Sequence, residues 1–171
     1  MKERIAAIRL LLLDVDGVMT DGRIIYDNQG VETKMFHVRD GHGLKLLQRA
    51  GVQVGIITGR ESQVVIKRAQ ELGIEYLYQG AKNKLECYED ILRRTGLSDE
   101  QIAYVGDDLV DLPVLRRVGF AVAVADGVEE IRPYVDYVTS RCGGCGAVRE
   151  VCDLLLKQSG RWQQVTQRYY E

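Results

Sequence analysis

Five aspartates, a threonine and a lysine have types and spacings that could do chemistry together. The run Leu10-Leu-Leu-Leu-Asp14-Val-Asp16-Gly-Val18 closes four apolar residues with two carboxylates one residue apart. On a continuing strand Asp14 and Asp16 would point the same way, and Gly17 would let the chain turn aside. Apolar surroundings do not tolerate two neighbouring carboxylates unless a cation or a proton compensates them. A second acidic group, Gly106-Asp107-Asp108-Leu-Val-Asp111, closes another apolar run, Thr58 follows Ile57, and Lys84 stands near a helix start. Brought together, the two clusters would repel strongly. A divalent cation removes the conflict, and an all-oxygen donor set suits Mg2+. The Thr58 hydroxyl and Lys84 ammonium are donors that a phosphoryl group needs. An aspartate beside a metal can attack phosphorus, and a carboxyl two residues on can protonate the leaving oxygen, then deprotonate water. The chemistry implied is phosphoryl transfer to Asp14 and then to water.

These groups meet only if strand ends converge. Leu10–Leu13, Val52–Ile57, Tyr76–Tyr78, Ile102–Val105, Phe120–Val124 and a weak Tyr137–Thr139 read as six strands. Helices are expected from an Asp40 cap to Ala50, over about 61–72, 83–95 and 112–117, briefly over 128–131, and from the glycine-rich loop 143–146 to about Lys157. Ser98–Gln101 has capping-box spacing, and the tail after Gly160 receives no assignment. Two short β-prone runs within 23–36, turning at Gly30, make a hairpin after the first strand. Strand–helix alternation with fully apolar strands predicts a single α/β domain over 1–171, a doubly wound, mainly parallel six-stranded sheet. Ligands of such sheets sit outside the carboxyl ends of the strands at the switch point, where all seven candidates fall.

Composition excludes several classes. The 171 residues carry a net charge of −2 with acids and bases dispersed, so no basic patch points to nucleic acid. No stretch approaches a membrane span or a signal-peptide apolar core. Cys87, Cys142, Cys145 and Cys152 read as reduced thiols of a cytoplasmic protein. Cys142-Gly-Gly-Cys145 has the spacing of a redox pair or half a zinc site, a rival to the acidic constellation. A phosphoacceptor signalling domain would also join acids, a hydroxyl and a lysine, but with its acidic pair first and the acceptor on a later strand.

Taken in order, Asp14-Val-Asp16-Gly-Val, Ile-Thr58-Gly59-Arg60, Lys84 and Gly-Asp107-Asp108-x-x-Asp111 resemble the haloacid dehalogenase superfamily of phosphatases. Phe36-His-Val-Arg-Asp-Gly41, Val105–Asp111 and Gly143–Asp153 are similar to the capless 3-deoxy-D-manno-octulosonate 8-phosphate phosphatase family. That resemblance implies a domain without a cap, Asp14 as nucleophile, and Asp16 as acid and base. It implies Mg2+ held by Asp14, Asp16 (through its carbonyl) and Asp107, with Asp108 and Asp111 orienting the site. Thr58 and Lys84 would hold phosphoryl oxygens, with Lys82 a nearby rival for Lys84. The substrate implied is a small anionic phosphorylated sugar acid of lipopolysaccharide precursor synthesis; a related nonulosonate 9-phosphate is the alternative. Its contacts would come from Asp16, His37, Val38, Arg39, Asp40, Gly41, Lys45, Gly59, Arg60, Arg68 and Lys84. The family also implies a homotetramer with hairpins packed centrally and each site completed by a neighbour. Many relatives carry a basic residue where Cys145 stands, and Arg141 or Arg149 are the cations at hand to replace it.

Overall fold

A computed structural model describes residues 2–171. The chain opens on a short helix, α1 (Lys2–Ala7), and enters β1 (Leu10–Leu13). The hairpin β2 (Ile25–Tyr26) and β3 (Glu32–Thr33) follows, then α2 (Val38–Arg49), β4 (Gln53–Ile57), α3 (Gln63–Leu72), β5 (Tyr76–Tyr78) and α4 (Lys84–Thr95). The second half runs β6 (Ile102–Gly106), α5 (Leu112–Leu115), β7 (Phe120–Ala123), β8 (Tyr137–Val138), α6 (Ala147–Gln158) and α7 (Trp162–Thr166). Six strands form one sheet in the order β5-β4-β1-β6-β7-β8, and every neighbouring pair is parallel. The chain winds from β1 out to β5, then crosses back to β6, so the order reverses about β1.

The unbroken apolar strands are explained by two cores. Leu11 and Leu13 of β1, with Ala103 and Val105 of β6, pack under α1, α2, α3 and α6. Their neighbours Leu10, Leu12, Ile102 and Tyr104 face the opposite layer, under α4 and α5. Alternate residues of one strand therefore feed opposite cores, and no polar face is left.

Several boundaries differ from those the sequence predicts. α2 starts at Val38, so Asp40 is not its cap; His37 holds that place without a side-chain bond. Asp40 lies inside the first turn and accepts the backbone N–H of Arg149 at 2.8 Å, tying α2 to α6. The brief helix expected over 128–131 is a 3-10 turn over Glu129–Tyr134 that absorbs Pro133. The helix α1, unforeseen, buries Ile5, and its Arg4 reaches Asp136 at 2.8 Å. The unassigned tail forms α7 and docks on α2, where the Tyr169 hydroxyl meets Arg49 at 2.7 Å and His42 at 3.0 Å. The hairpin stands where expected, but only Ile25↔Thr33 and Tyr26↔Glu32 pair, too little to be stable without support.

One loop contact bears directly on the site. The Gly143–Gly144 turn presses onto the loop after β1: a Cβ on Gly143 would lie 1.7 Å from the Gly17 carbonyl oxygen. Gly144 donates to the Val18 carbonyl at 3.0 Å, and Gly143 to Asp126 at 2.9 Å. The glycine-rich segment thus braces the loop that carries the acidic pair.

Candidate active site

Asp14 leaves β1 with its N–H still bonded to Val105 of β6, which aims its side chain into the gap between the two strand ends. One carboxylate oxygen accepts Val15 N–H at 2.7 Å and the other lies 3.0 Å from Lys84 Nζ. Asp111 is fully buried and acts as the hub of the loop after β6. Its Oδ1 accepts from Lys84 at 2.7 Å and from the Tyr104 hydroxyl at 2.6 Å. Its Oδ2 accepts the backbone N–H groups of Asp107 at 2.9 Å and Asp108 at 3.2 Å. With both oxygens committed, Asp111 holds the loop and Lys84 in place.

Oxygens of Asp14, Asp107 and Asp111 all lie within 4.8 Å of one another, the one such acidic or thiol group among the described residues. Asp107 packs so closely on Gly17 that a Cβ there would sit 2.1 Å from its Oδ2. Glycine is needed at 17 for that approach as well as for its φ of +89°. Burial, then the charges of Asp111 and Asp14, push Asp107 up to about 8. Burial and Asp111 push Asp14 up to about 6, even against the pull of Lys84. Burial disfavours the Lys84 ammonium, but Asp111 and Asp14 outweigh it and hold its pKa above the ordinary value. The cluster therefore carries more negative charge than its lysine neutralises, in a partly dry pocket. Asp14 and Asp107 offer hard oxygens with capacity to spare, and such a donor set fits Mg2+.

The Asp16 carboxylate does not join that cluster, although the spacing predicts it would share Asp14's direction. The chain turns at Gly17 before the strand geometry can continue. Its Oδ1 is bonded to Lys34 of the hairpin, and its Oδ2 lies 3.8 Å from Arg60 Nε. With its carboxylate turned to these two cations, its backbone carbonyl is the oxygen it can offer a metal ion. Thr58 is buried at the end of β4, its N–H bonded to Tyr78 of β5. Asp14, Asp16, Thr58, Gly59, Arg60 and Lys84, with Asp107, line one cavity of about 360 Å3. Lys82 stands on that wall too, but Lys84 is the lysine that reaches Asp14.

The other expected substrate contacts lie elsewhere within this chain. His37 and Arg39 line a second cavity of about 650 Å3 with Arg141, Cys145, Arg149 and Lys157. Cys145 is thus beside the very cations considered as its replacement. Arg68 lies over the Phe36 ring at 5.6 Å and pairs with Glu71, while its guanidinium crowds Gly41. Lys45 donates to the Leu72 carbonyl at 2.6 Å. Val38 is 79% exposed. Sequence reasoning missed Tyr104, whose signal was a tyrosine on an otherwise aliphatic strand, and the hairpin residues Tyr26, Glu32 and Lys34. Glu32 and the Tyr26 hydroxyl each meet Arg60 at 2.9 Å, a contact with no local signature.

A doubly wound parallel sheet with this acidic switch-point site is the architecture of a haloacid dehalogenase-like hydrolase, and that family's model matches residues 38–119. Over 154 residues the chain is 52% identical to 3-deoxy-D-manno-octulosonate 8-phosphate phosphatase KdsC of Escherichia coli K12, covering 90% of this chain and 82% of that protein. The Yersinia pestis enzyme is 49% identical over 96% of this chain and 88% of its own. A crystal structure of the Moraxella catarrhalis phosphatase with magnesium, phosphate and KDO superposes with a TM-score of 0.96, at 42% identity, over 98% of this chain and 97% of that one. The chain belongs to the 3-deoxy-D-manno-octulosonate 8-phosphate phosphatase family and is a phosphoric monoester hydrolase. These relatives do not favour the phosphoacceptor and redox readings, and Cys142 and Cys145 join no metal-ligand cluster among the described residues.

Proposed function

We propose that this enzyme hydrolyses 3-deoxy-D-manno-octulosonate 8-phosphate to the free sugar acid and phosphate through an aspartyl phosphate on Asp14. One observation carries the reading: Asp14 and Asp107 share an under-neutralised oxygen cluster, with Lys84 on one flank and Asp16 within the same cavity. Lys84 and Thr58 hold phosphoryl oxygens against Asp14. An Asp14 oxygen bonds to phosphorus as the ester P–O bond breaks, and Asp16 gives its proton to the departing alkoxide. Asp16, now a carboxylate, takes a proton from the water that attacks the acyl phosphate, freeing Asp14 and releasing phosphate. Asp14, Asp107 and the Asp16 carbonyl would hold Mg2+, which when bound supplies the positive charge that lets a phosphoryl dianion approach these carboxylates.

Arg60, on the rim of the cavity, suits the carboxylate of the sugar acid. His37–Gly41, Lys45 and Arg68 would complete the site of a neighbouring copy rather than their own. Support comes from the hairpin, which exposes Ile24, Ile25, Tyr26, Val31 and Met35 over two strands too short to stand alone. A homotetramer built around these hairpins would cover them. Light scattering at micromolar concentration is expected to give an assembly, and Ile25→Lys with Val31→Lys to reduce it to a monomer. A wild-type monomer would remove the shared-site reading. The free cysteines and the lack of any helix long and apolar enough to cross a membrane, among the described residues, fit the cytoplasmic setting we assign.

The direct experiment is a phosphate-release screen over sugar phosphates with and without Mg2+. The octulosonate 8-phosphate should be turned over at least about tenfold more efficiently than a nonulosonate 9-phosphate or a hexose phosphate, and only with the metal. Equal turnover of neutral hexose phosphates would overturn the substrate assignment. Preference for the nonulosonate would move the enzyme to that neighbouring substrate class.

A further inference from the structure

Lys34 is an ammonium almost wholly removed from water: its side chain is 1% exposed. A lysine that deep is costly unless paired. Its partners are both carboxylates, Oδ1 of Asp16 and Oε1 of Glu32, the latter at 3.3 Å. Glu32 also takes Arg60 at 2.9 Å, and the Arg60 guanidinium reaches the Tyr26 hydroxyl. The hairpin therefore closes on the site through its polar groups while Ile25 and Val31 face outward. A purely structural brace would need only Glu32 and Lys34, two residues apart on one arm of the hairpin. The contact with Asp16 spans eighteen residues and ends on a group that does chemistry.

We infer that Lys34 is a positioning residue for proton transfer to the leaving group, with Glu32 fixing Lys34 in turn. This rests on the reading of Asp16 as acid and base. Asp16 sits just past a strand end, with its side chain partly open to solvent. Lys34 fastens Oδ1, while Oδ2 accepts no hydrogen bond among the described residues and lies 3.8 Å from Arg60 Nε, in a residue that lines the cavity. A proton on Oδ2 then passes to the alkoxide oxygen as the P–O bond breaks and Asp14 bonds to phosphorus. Lys34 keeps its three protons throughout. Misplacing an acid by about 1 Å costs on the order of a hundredfold.

The prediction separates positioning from scaffolding through the leaving group. An alkoxide needs the proton; p-nitrophenolate leaves without it. First-turnover rates would be measured by rapid quench for the octulosonate 8-phosphate and for p-nitrophenyl phosphate, in wild type, Lys34→Met, Lys34→Arg, Glu32→Gln and Asp16→Asn. Lys34→Met should slow phosphoryl transfer from the sugar acid by about ten- to a hundredfold, with KM changed less than about threefold. It should leave first-turnover release of p-nitrophenolate within about threefold of wild type. Lys34→Arg should restore most of the sugar-acid rate, and Glu32→Gln should show a weaker version of the same selectivity. An equal loss on both phosphates in Lys34→Met, or no loss on either, overturns the proposal. If Asp16→Asn is selective and Lys34→Met is not, the Lys34 role alone falls. If Asp16→Asn slows both alike, the acid assignment fails and takes the Lys34 role with it.

Discussion

Asp14→Asn is expected to lower turnover of the sugar-acid phosphate at least about 10^4-fold while the protein stays folded. The first half follows from chemistry, because an amide oxygen is a poor nucleophile and no other carboxylate can take the place of Asp14. Asp111 is committed to four donors, and burial with the charges of Asp111 and Asp14 pushes Asp107 up to about 8, against the pull of Lys84. The second half follows from geometry. The Asn side-chain oxygen can still accept Val15 N–H, the bond that holds Asp14 at 2.7 Å. Lys84 keeps Asp111 as its counter-ion at 2.7 Å. Removing one of three crowded carboxylates also relieves Asp107, so the metal-free variant should melt no lower than wild type. Rapid-quench kinetics and circular dichroism check the two halves separately. Residual activity above about one per cent in a folded variant would end the nucleophile assignment.

That assignment was available from sequence because the residues concerned are fixed by strand ends. Asp14, Thr58 and Asp107 each follow an apolar run whose only stable place is a buried parallel strand, and a parallel sheet delivers its carboxyl ends to one edge. Lys84 came with them because it opens the helix after the next strand. What depends on the path of a turn was not legible. Asp16 leaves the cluster because the chain bends at Gly17, and no pattern foretells that its carboxylate goes to Lys34. The hub role of Asp111 needs Tyr104 beneath it, and an alternating burial pattern shows the face of a tyrosine but not its partner. Asp40 reads as a cap by type, yet the helix begins two residues earlier and the carboxylate bridges to α6, 109 residues on. The places of Lys45, Arg68 and His37 divide similarly. Their charges are visible in the sequence, while their distance from Asp14 within one chain is a fact of tertiary packing.

Removing the metal should make stability depend on pH in a direction opposite to ordinary acid denaturation. In chelator, the melting midpoint should rise as pH falls from about 8 to about 6. Asp107 is pushed from 3.8 up to about 8 and Asp14 from 3.8 up to about 6, by burial and by each other's neighbours. A carboxyl whose folded pKa is raised binds its proton more tightly in the native state than in the unfolded one. Its favourable contribution is complete below 3.8 and is lost as pH rises through the folded value. The loss from Asp14 is complete just above about 6 and that from Asp107 continues to about 8, so between 6 and 8 the slope is carried mainly by Asp107. At lower pH the trend should reverse as groups of the other kind are protonated. Burial would raise Glu150, but donors from Ser140, Tyr137 and Arg141 outweigh it and hold its pKa low, so its support fades in acid. Mg2+ competes with protons for Asp14 and Asp107, so it should bind and stabilise more at pH 8 than at pH 6. At a hundred times its dissociation constant it should add about 2.7 kcal/mol, or roughly 5–10 °C for a chain of this size. Differential scanning calorimetry at pH 6, 7 and 8, in chelator and in Mg2+, reads both slopes. A flat midpoint in chelator, or a metal shift that does not grow with pH, would show that the clustered carboxylates are not where the cation binds.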